Sequence, residues 1–248
     1  MGRTKIEWSD FTWSPITGCT PISEGCANCY ARQMAQRLKG RYGYPKVNPF
    51  RVTFHQDKLY EPLHWRKPRR IFVCSMGDLF HEDVKMDWIY EVWQVMERCP
   101  QHIFMILTKR PERMKSLLAG IITGCKPDHR QHIWLGVTAE NQKRADERIP
   151  ILLEVPAKIK FVSFEPLLEA CGLKRYGSGL DWIIAGCESG PNRRKAEAWW
   201  FRRLKDQCQY SNTAFFLKQM EVDGKIVKCP KLDGKVWAEY PKKARGVK

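Results

Sequence analysis

Short apolar runs alternate with amphipathic stretches along almost the whole chain, and this restricts the fold more than any other feature. The strand-like runs are Thr12–Thr17, Val52–His55, Ile71–Ser75, Ile103–Thr108, Ile133–Thr138, Ile159–Ser163, Trp182–Gly186 and Ala214–Lys218. Most are rich in Val, Ile, Phe and Trp and apolar on both faces, as strands buried within a parallel sheet must be. Helix-like stretches lie between them at Ala31–Leu38, Asp87–Arg98, Glu112–Leu118, Gln142–Leu153 and Lys195–Gln209. In the second of these Ile89, Val92, Trp93 and Met96 share one stripe, and Asn141 is the expected N-cap of the fourth. Repeated strand–helix alternation implies parallel strands joined by right-handed crossovers. The expected fold is α/β, a complete or partial (β/α) TIM-type barrel, with an open doubly wound sheet as the alternative. No G-x-G-x-x-G follows a strand, which argues against a Rossmann dinucleotide site.

The pattern changes after Met220. Asp223-Gly224 and Asp233-Gly234 are hairpin turn pairs flanked by the short segments Lys225–Lys228 and Lys235–Ala238. We therefore expect a barrel over residues 1–220 that carries the cysteine loop, then a small C-terminal β-hairpin appendage with a basic, disordered tail from Lys242, over 221–248. A chain of 248 residues can bury the core of one barrel without staples. It has no apolar run of about 18 residues and no export signal at its N-terminus, so no membrane partner and a cytoplasmic location are expected.

Polar clusters end most of the apolar runs, and in a barrel all such ends share one rim, where active sites are built. Ser75, Gly77 and Asp78 follow the third run, Thr108 and Lys109 close the fourth, and Glu140 follows the fifth. Ser163 and Glu165 end the sixth, Glu188 follows the seventh, and Lys218 closes the last. A ring of salt bridges filling the top layer of the barrel would be the structural alternative.

Three cysteines stand on the loop after the first run, in Gly18-Cys-Thr-Pro-Ile-Ser-Glu-Gly-Cys-Ala-Asn-Cys-Tyr-Ala31. Cys19, Cys26 and Cys29 can hold a four-iron cluster while leaving one iron open, whereas structural zinc takes four protein ligands. Zinc stays open as an alternative, with Cys74 or Cys187 as a fourth thiolate. The remaining cysteines, Cys74, Cys99, Cys125, Cys171, Cys187, Cys208 and Cys229, are scattered singly, and we expect them reduced and several of them buried.

Lysine and arginine outnumber aspartate and glutamate by 43 to 27, a net charge of +16, which favours a polyanionic partner, DNA or RNA. Clusters at Arg66-Lys67 with Arg69-Arg70, at Arg193-Arg194-Lys195 and at Arg202-Arg203, with Trp199, Trp200 and Trp237 nearby, suggest a polyanion track.

A cysteine triplet on the loop after the first strand of a (β/α) barrel resembles the radical S-adenosylmethionine superfamily, nearest to its spore photoproduct lyase and photolyase-like branch. More closely, the chain resembles a phage- and bacteria-associated family of three-cysteine proteins. The matching segments include Ile6-Glu7-Trp8, Thr12-Trp13-Ser14-Pro15, Gly25-Cys-Ala-Asn-Cys-Tyr-Ala31, Ser75-Met-Gly-Asp-Leu-Phe80, Leu107-Thr-Lys-Arg-Pro111, Phe161-Val-Ser-Phe-Glu-Pro-Leu-Leu168, Cys187-Glu-Ser-Gly-Pro191 and Phe216-Leu-Lys-Gln219. The first resemblance implies a [4Fe–4S] cluster on Cys19, Cys26 and Cys29, S-adenosylmethionine as cofactor, a 5′-deoxyadenosyl radical, and an external one-electron donor. It further implies cofactor contacts from Ser75, Gly77, Asp78, Thr108, Lys109 and Glu140, and a substrate face formed by Ser163, Glu165, Glu188 and Lys218. The expected activity is modification or repair of a nucleic-acid base. A non-catalytic, zinc-stabilised nucleic-acid-binding phage protein is the alternative, and a degenerate barrel regulating a neighbouring phage protein a third.

Overall fold

The computed structural model describes residues 4–122, 130–173, 175–176 and 179–242. Cys125 and the basic tail beyond residue 242 lie outside the described residues. In chain order the elements are β1 (Phe11–Trp13), β2 (Ile16–Thr17), α1 (Tyr30–Arg37), β3 (Thr53–Phe54), α2 (Gln56–Leu59), β4 (Arg70–Val73), α3 (Met86–Glu97), β5 (Ile103–Thr108), α4 (Pro111–Ile122), β6 (Ile133–Thr138), α5 (Gln142–Glu154), β7 (Lys160–Phe164), β8 (Trp182–Gly186), α6 (Ala198–Ser211), β9 (Ala214–Val222), β10 (Lys225–Lys228), β11 (Lys231–Leu232) and β12 (Lys235–Val236).

Eight strands form one sheet in the order β1-β4-β5-β6-β7-β8-β9-β10. All neighbours are parallel except β9 and β10. The sheet curls into a half-barrel. Side chains alternate between its faces, which is why the central strands are apolar throughout. Val73, Ile106, Leu135, Val162, Ile183 and Leu217 face the helices and pack with Val92, Met96, Ile149 and Leu204. Among the described residues no helix packs on the inner face. Phe72, Met105, Trp134, Phe161, Trp182 and Phe216 fill it instead, roofed by Trp8 and Tyr240 from outside the sheet. Trp8 lies 4.7 Å from Phe72 between ring centroids and meets Trp182 edge-on at 6.1 Å. Chain segments at both ends thus occupy the space that further strands would enclose in a full barrel.

Two expectations need correction. Thr12–Thr17 is not one strand: Phe11–Trp13 pairs with β4, while Ile16–Thr17 pairs antiparallel with β3. Pro15 lies between them and has no N–H for a ladder. Val52–His55 consequently contributes no strand to the main sheet; its core, β3, backs the cysteine loop. Between β7 and β8 the described residues of 165–181 form no α-helix, in a stretch broken by Pro166, Gly172 and Gly179. All five predicted helices are present, and Asn141 caps α5 by accepting from the Arg144 N–H at 2.9 Å.

Both predicted hairpin turns exist. Asp223 and Gly224 have φ of 49° and 75°, and Asp233 and Gly234 of 54° and 79°, the paired left-handed values of tight hairpins. β9 runs through residue 220 to carry β10, and Leu232 and Trp237 join the helix-side core.

His55 fastens the end of β3 to β2 and makes folding pH-dependent. Its Nε2 lies 2.7 Å from Thr17 Oγ1, and burial pushes its pKa from 6.5 down to about 4. Burial lowers His81, His102 and His132 in the same direction. A histidine held neutral in the fold binds its proton more readily when unfolded. The stability due to His55 is therefore complete above about pH 6.5 and falls as pH drops to about 4. His55→Gln should flatten that part of the curve of denaturation midpoint against pH. An unchanged slope would remove His55 from the account.

Candidate functional site

Parallel pairing brings the C-terminal ends of β1 and β4–β9 to one edge of the sheet, and the cysteine loop lies over that edge. Gly18 turns the chain into the loop with φ 91°; a Cβ there would sit 2.1 Å from the Arg51 carbonyl oxygen, so only glycine fits. Its N–H donates to the Met76 carbonyl at 2.9 Å, and the Cys19 N–H donates to that of Phe50 at 3.1 Å. Gly77, expected at a cofactor, instead permits close approach to Gly18, whose carbonyl oxygen would be 2.8 Å from an added Cβ.

Three strand-end carboxylates hold this loop, each beside a different cysteine. Asp78 is the first. Its Oδ1 accepts from Thr108 Oγ1 at 2.8 Å and from the Phe80 N–H at 3.0 Å. Its Oδ2 accepts from the Lys109 N–H at 3.2 Å and from Arg110 Nη1 at 3.3 Å. Arg110 then reaches the loop, donating from Nη1 to Cys19 Sγ at 3.5 Å and from Nη2 to Thr20 O and Oγ1, both at 3.2 Å. Its Nε donates to Glu82 at 2.8 Å.

Glu140 is the second and is fully buried. Oε1 accepts from the Gly25 N–H at 3.3 Å, and Oε2 pairs with Arg148 Nη1 at 2.9 Å. Burial opposes its charge, but Lys109 and Arg148 prevail and hold the carboxyl below its usual range. Glu188 is the third. Oε2 accepts from Asn28 Nδ2 at 2.8 Å and from the Arg194 N–H at 2.9 Å, while Oε1 pairs with Arg194 Nη2 at 2.5 Å. Glu188, expected to face a substrate, is thus turned to the loop. Asp78, Thr108 and Glu140, expected at a cofactor, are likewise bonded within the protein.

The thiols differ in environment. Burial, reinforced by Asp78, raises Cys19 to about 11 despite Arg110. Burial also opposes ionisation of Cys26, yet Lys109 and the polar groups of Ile22 and Ser23 outweigh it and lower that thiol below its usual value. All three loop cysteines are free and partly exposed, whereas Cys74, Cys99, Cys171, Cys187 and Cys208 are free and buried; Cys229 is half-buried. Cys74 and Cys187 belong to the helix-side core, so neither is turned to the loop as a fourth ligand. Among the described residues no three His, Cys, Asp or Glu side chains stand together as a single metal ion would need. Thiolates sharing one tetrahedral zinc stand about 3.8 Å apart, given bonds of about 2.3 Å. A four-iron cube spreads its thiolates more widely.

Glu165, Lys218 and Ser163 form a second group, apart from these clamps. Lys218 Nζ lies 2.7 Å from Glu165 Oε1. Ser163 Oγ donates to Glu165 Oε2 at 3.0 Å, as does Trp8 Nε1 at 3.3 Å. Burial disfavours the charged Lys218, but Glu165 more than compensates and raises its pKa. A register shift between β8 and β9 leaves Lys218 unpaired between Leu217 and Gln219, the usual way a bulge re-aims a side chain. Gly186 leaves room for the pair, since a Cβ there would meet Glu165 Oε1 at 3.0 Å. Ser75 takes part through its backbone, whose carbonyl accepts from the Tyr30 hydroxyl at 2.5 Å.

Sequence reasoning missed Trp8, Asn28, Tyr30 and Arg148 and gave Arg110 no role. Arg110 was visible beside Thr108 and Lys109, but nothing local marks Arg148 as the partner of Glu140. No curated protein and no solved structure matches the chain. One family model does, described as a protein of unknown function (DUF5131), and its match over residues 3–241 means that the chain belongs to that family.

Proposed function

We propose that the chain is an iron–sulfur enzyme of the radical S-adenosylmethionine type that acts on a nucleic-acid component, modifying or repairing a base. One observation carries this reading: three strand-end carboxylates hold Thr20 (through Arg110), Gly25 and Asn28, the neighbours of Cys19, Cys26 and Cys29. A loop held this way keeps three thiols at the mouth, and among the described residues no fourth thiolate is turned to it. The donor set fits a [4Fe–4S] cluster with one iron open.

When bound, the cluster and an external one-electron donor would cleave S-adenosylmethionine to methionine and a 5′-deoxyadenosyl radical, which takes a hydrogen atom from the substrate. The chain's own residues bind, orient and exclude water. Arg110 and Lys109 offset negative charge at Cys19 and Cys26. Lys109 keeps its ammonium for the methionine or ribose end, whereas Ser75 is engaged, its hydroxyl with Ser14 Oγ at 3.5 Å and its carbonyl with Tyr30. Asp78, Thr108 and Glu140 act one step back, by holding the loop. Glu165 and Lys218 offer an acceptor and a cation to the substrate, with Ser163 orienting Glu165 and Trp8 closing the floor.

The test is anaerobic reduction of cluster-loaded protein with S-adenosylmethionine, which should release 5′-deoxyadenosine. Glu165→Gln should lower turnover of an oligonucleotide substrate about 100-fold while S-adenosylmethionine binding persists. Colourless, folded protein that holds stoichiometric zinc and binds no S-adenosylmethionine would overturn the reading in favour of a zinc-stabilised nucleic-acid-binding module.

A further inference from the structure

The basic clusters most obvious in the sequence are largely engaged. Arg69 lies over the rings of Phe11 and Trp65 at 4.0 and 5.0 Å, and Arg70 pairs with Asp10 at 2.8 Å. Arg193 pairs with Glu221, Arg194 with Glu188, Lys195 with Glu197 and Arg202 with Asp233. The free positive charge lies elsewhere. From residue 25 to residue 56 the chain holds no aspartate or glutamate, although 27 in 248 residues would place about three in such a stretch. It holds Arg32, Arg37, Lys39, Arg41, Lys46 and Arg51, and none of these makes an ion pair among the described residues.

This segment is ordered and attached to the site. Gly40 N–H donates to the Tyr44 carbonyl at 3.0 Å, Tyr44 N–H to that of Arg41 at 2.9 Å, and Arg41 Nη2 to that of Arg37 at 2.6 Å. Lys46 packs close to Gly40, where an added Cβ would meet its Cγ at 3.2 Å. Like charges are therefore held together with no ion-pair partner among the described residues, which destabilises the free chain and favours an external polyanion. Among them Tyr42 is 74% exposed at a left-handed φ of 52°, its carbonyl fixed by Lys58 Nζ at 3.2 Å. Beneath, Ala31, Ala35, Tyr44 and Phe50 pack with Cys19 and Cys29.

We infer that this carboxylate-free lobe is where a single-stranded nucleic acid docks, with phosphates on Arg37, Arg41 and Lys46 and a base stacked on Tyr42. The inference deepens the proposed function and rests on its nucleic-acid substrate. Cations track a phosphate backbone, and an exposed ring stacks any base. Because the lobe packs against the cysteine loop, a strand held there passes the mouth.

The test is fluorescence anisotropy of a mixed-sequence single-stranded oligonucleotide over a range of salt concentrations. The triple variant Arg37→Gln, Arg41→Gln, Lys46→Gln should weaken binding at least about tenfold and reduce the slope of log affinity against log salt by about 2, as three lost phosphate contacts require. Tyr42→Ala should weaken it about fivefold or more. A control triple of equal charge, Arg66→Gln, Lys67→Gln, Arg203→Gln, should bind as the parent does. Equal losses in both triples would overturn the lobe while leaving the nucleic-acid reading intact. Tighter binding of a duplex with no effect of Tyr42→Ala would overturn the single-stranded assignment. Parent protein that binds neither form would overturn the nucleic-acid substrate itself. Competition by polyglutamate as strong as by the oligonucleotide would point to an acidic protein partner instead.

Discussion

If the loop holds the proposed cluster, Cys26→Ala is expected to abolish iron binding while leaving the fold standing. Protein isolated without oxygen should be brown, absorb broadly near about 400 nm and carry about four iron and four sulfide per chain. The variant should carry almost none. Cys26 is suited to this test because its thiol is the one that its surroundings make easier to ionise, and a metal binds the thiolate. Its removal should cost the fold little. The side chain is only half-buried, and its thiol contacts Ser23 Oγ at 3.7 Å. The bonds that fix the loop run through Thr20, Gly25 and Asn28 and do not involve the Cys26 thiol. Cys187→Ala provides the contrast: that thiol lies in the helix-side core, so its loss should leave the iron in place. Iron retained by Cys26→Ala, or lost equally from Cys187→Ala, would overturn the assignment of the cluster to the loop.

Arg148→Ala should be the most destabilising single substitution at the site. Glu140 is completely buried, and Arg148 supplies both an ion pair at 2.9 Å and a hydrogen bond to the Thr138 carbonyl at 2.6 Å. Taking away one partner of such a pair leaves a buried charge unmatched, which costs about 3–5 kcal/mol. For a chain of this size that corresponds to a fall of about 10 °C in Tm. The loop should loosen too, because Glu140 is what Gly25 holds. The double variant Glu140→Gln, Arg148→Met removes both charges and should recover much of the loss. Thermal denaturation of the three proteins checks this. A double variant no more stable than Arg148→Ala would show that the pair is not what matters there.

Much of the sheet could be read from periodicity. Ile103–Thr108, Ile133–Thr138 and Trp182–Gly186 have the predicted bounds, because a strand buried on both faces is apolar at every position. The rim was legible for the same reason: parallel strands that end in Asp78, Glu140, Glu165 and Glu188 bring those residues to one edge. Their tasks were not legible. A carboxylate at a strand end has the same local signature whether it faces a ligand or a backbone N–H of a loop far away in sequence. Asp78, Glu140 and Glu188 turned out to hold the loop, whereas Glu165 pairs with Lys218 apart from it. Arg194 misled in the same way, since a charge within a basic run looks free for a polyanion until its partner, here Glu188, is known.

What the chain determined by itself is the local part: the strand and helix periods, the Asn141 cap, the two Asp-Gly turns and three cysteines on one loop. Each depends on residues within a few positions of one another. Only the tertiary structure decided which charges meet, that Val52–His55 leaves the main sheet, and that Trp8 roofs the inner face. Gly25 with Glu140, Asn28 with Glu188 and Trp8 with Glu165 are separated by 115, 160 and 157 positions. Such contacts arise only after the parallel sheet has gathered its strand ends at one edge, and no local pattern encodes them.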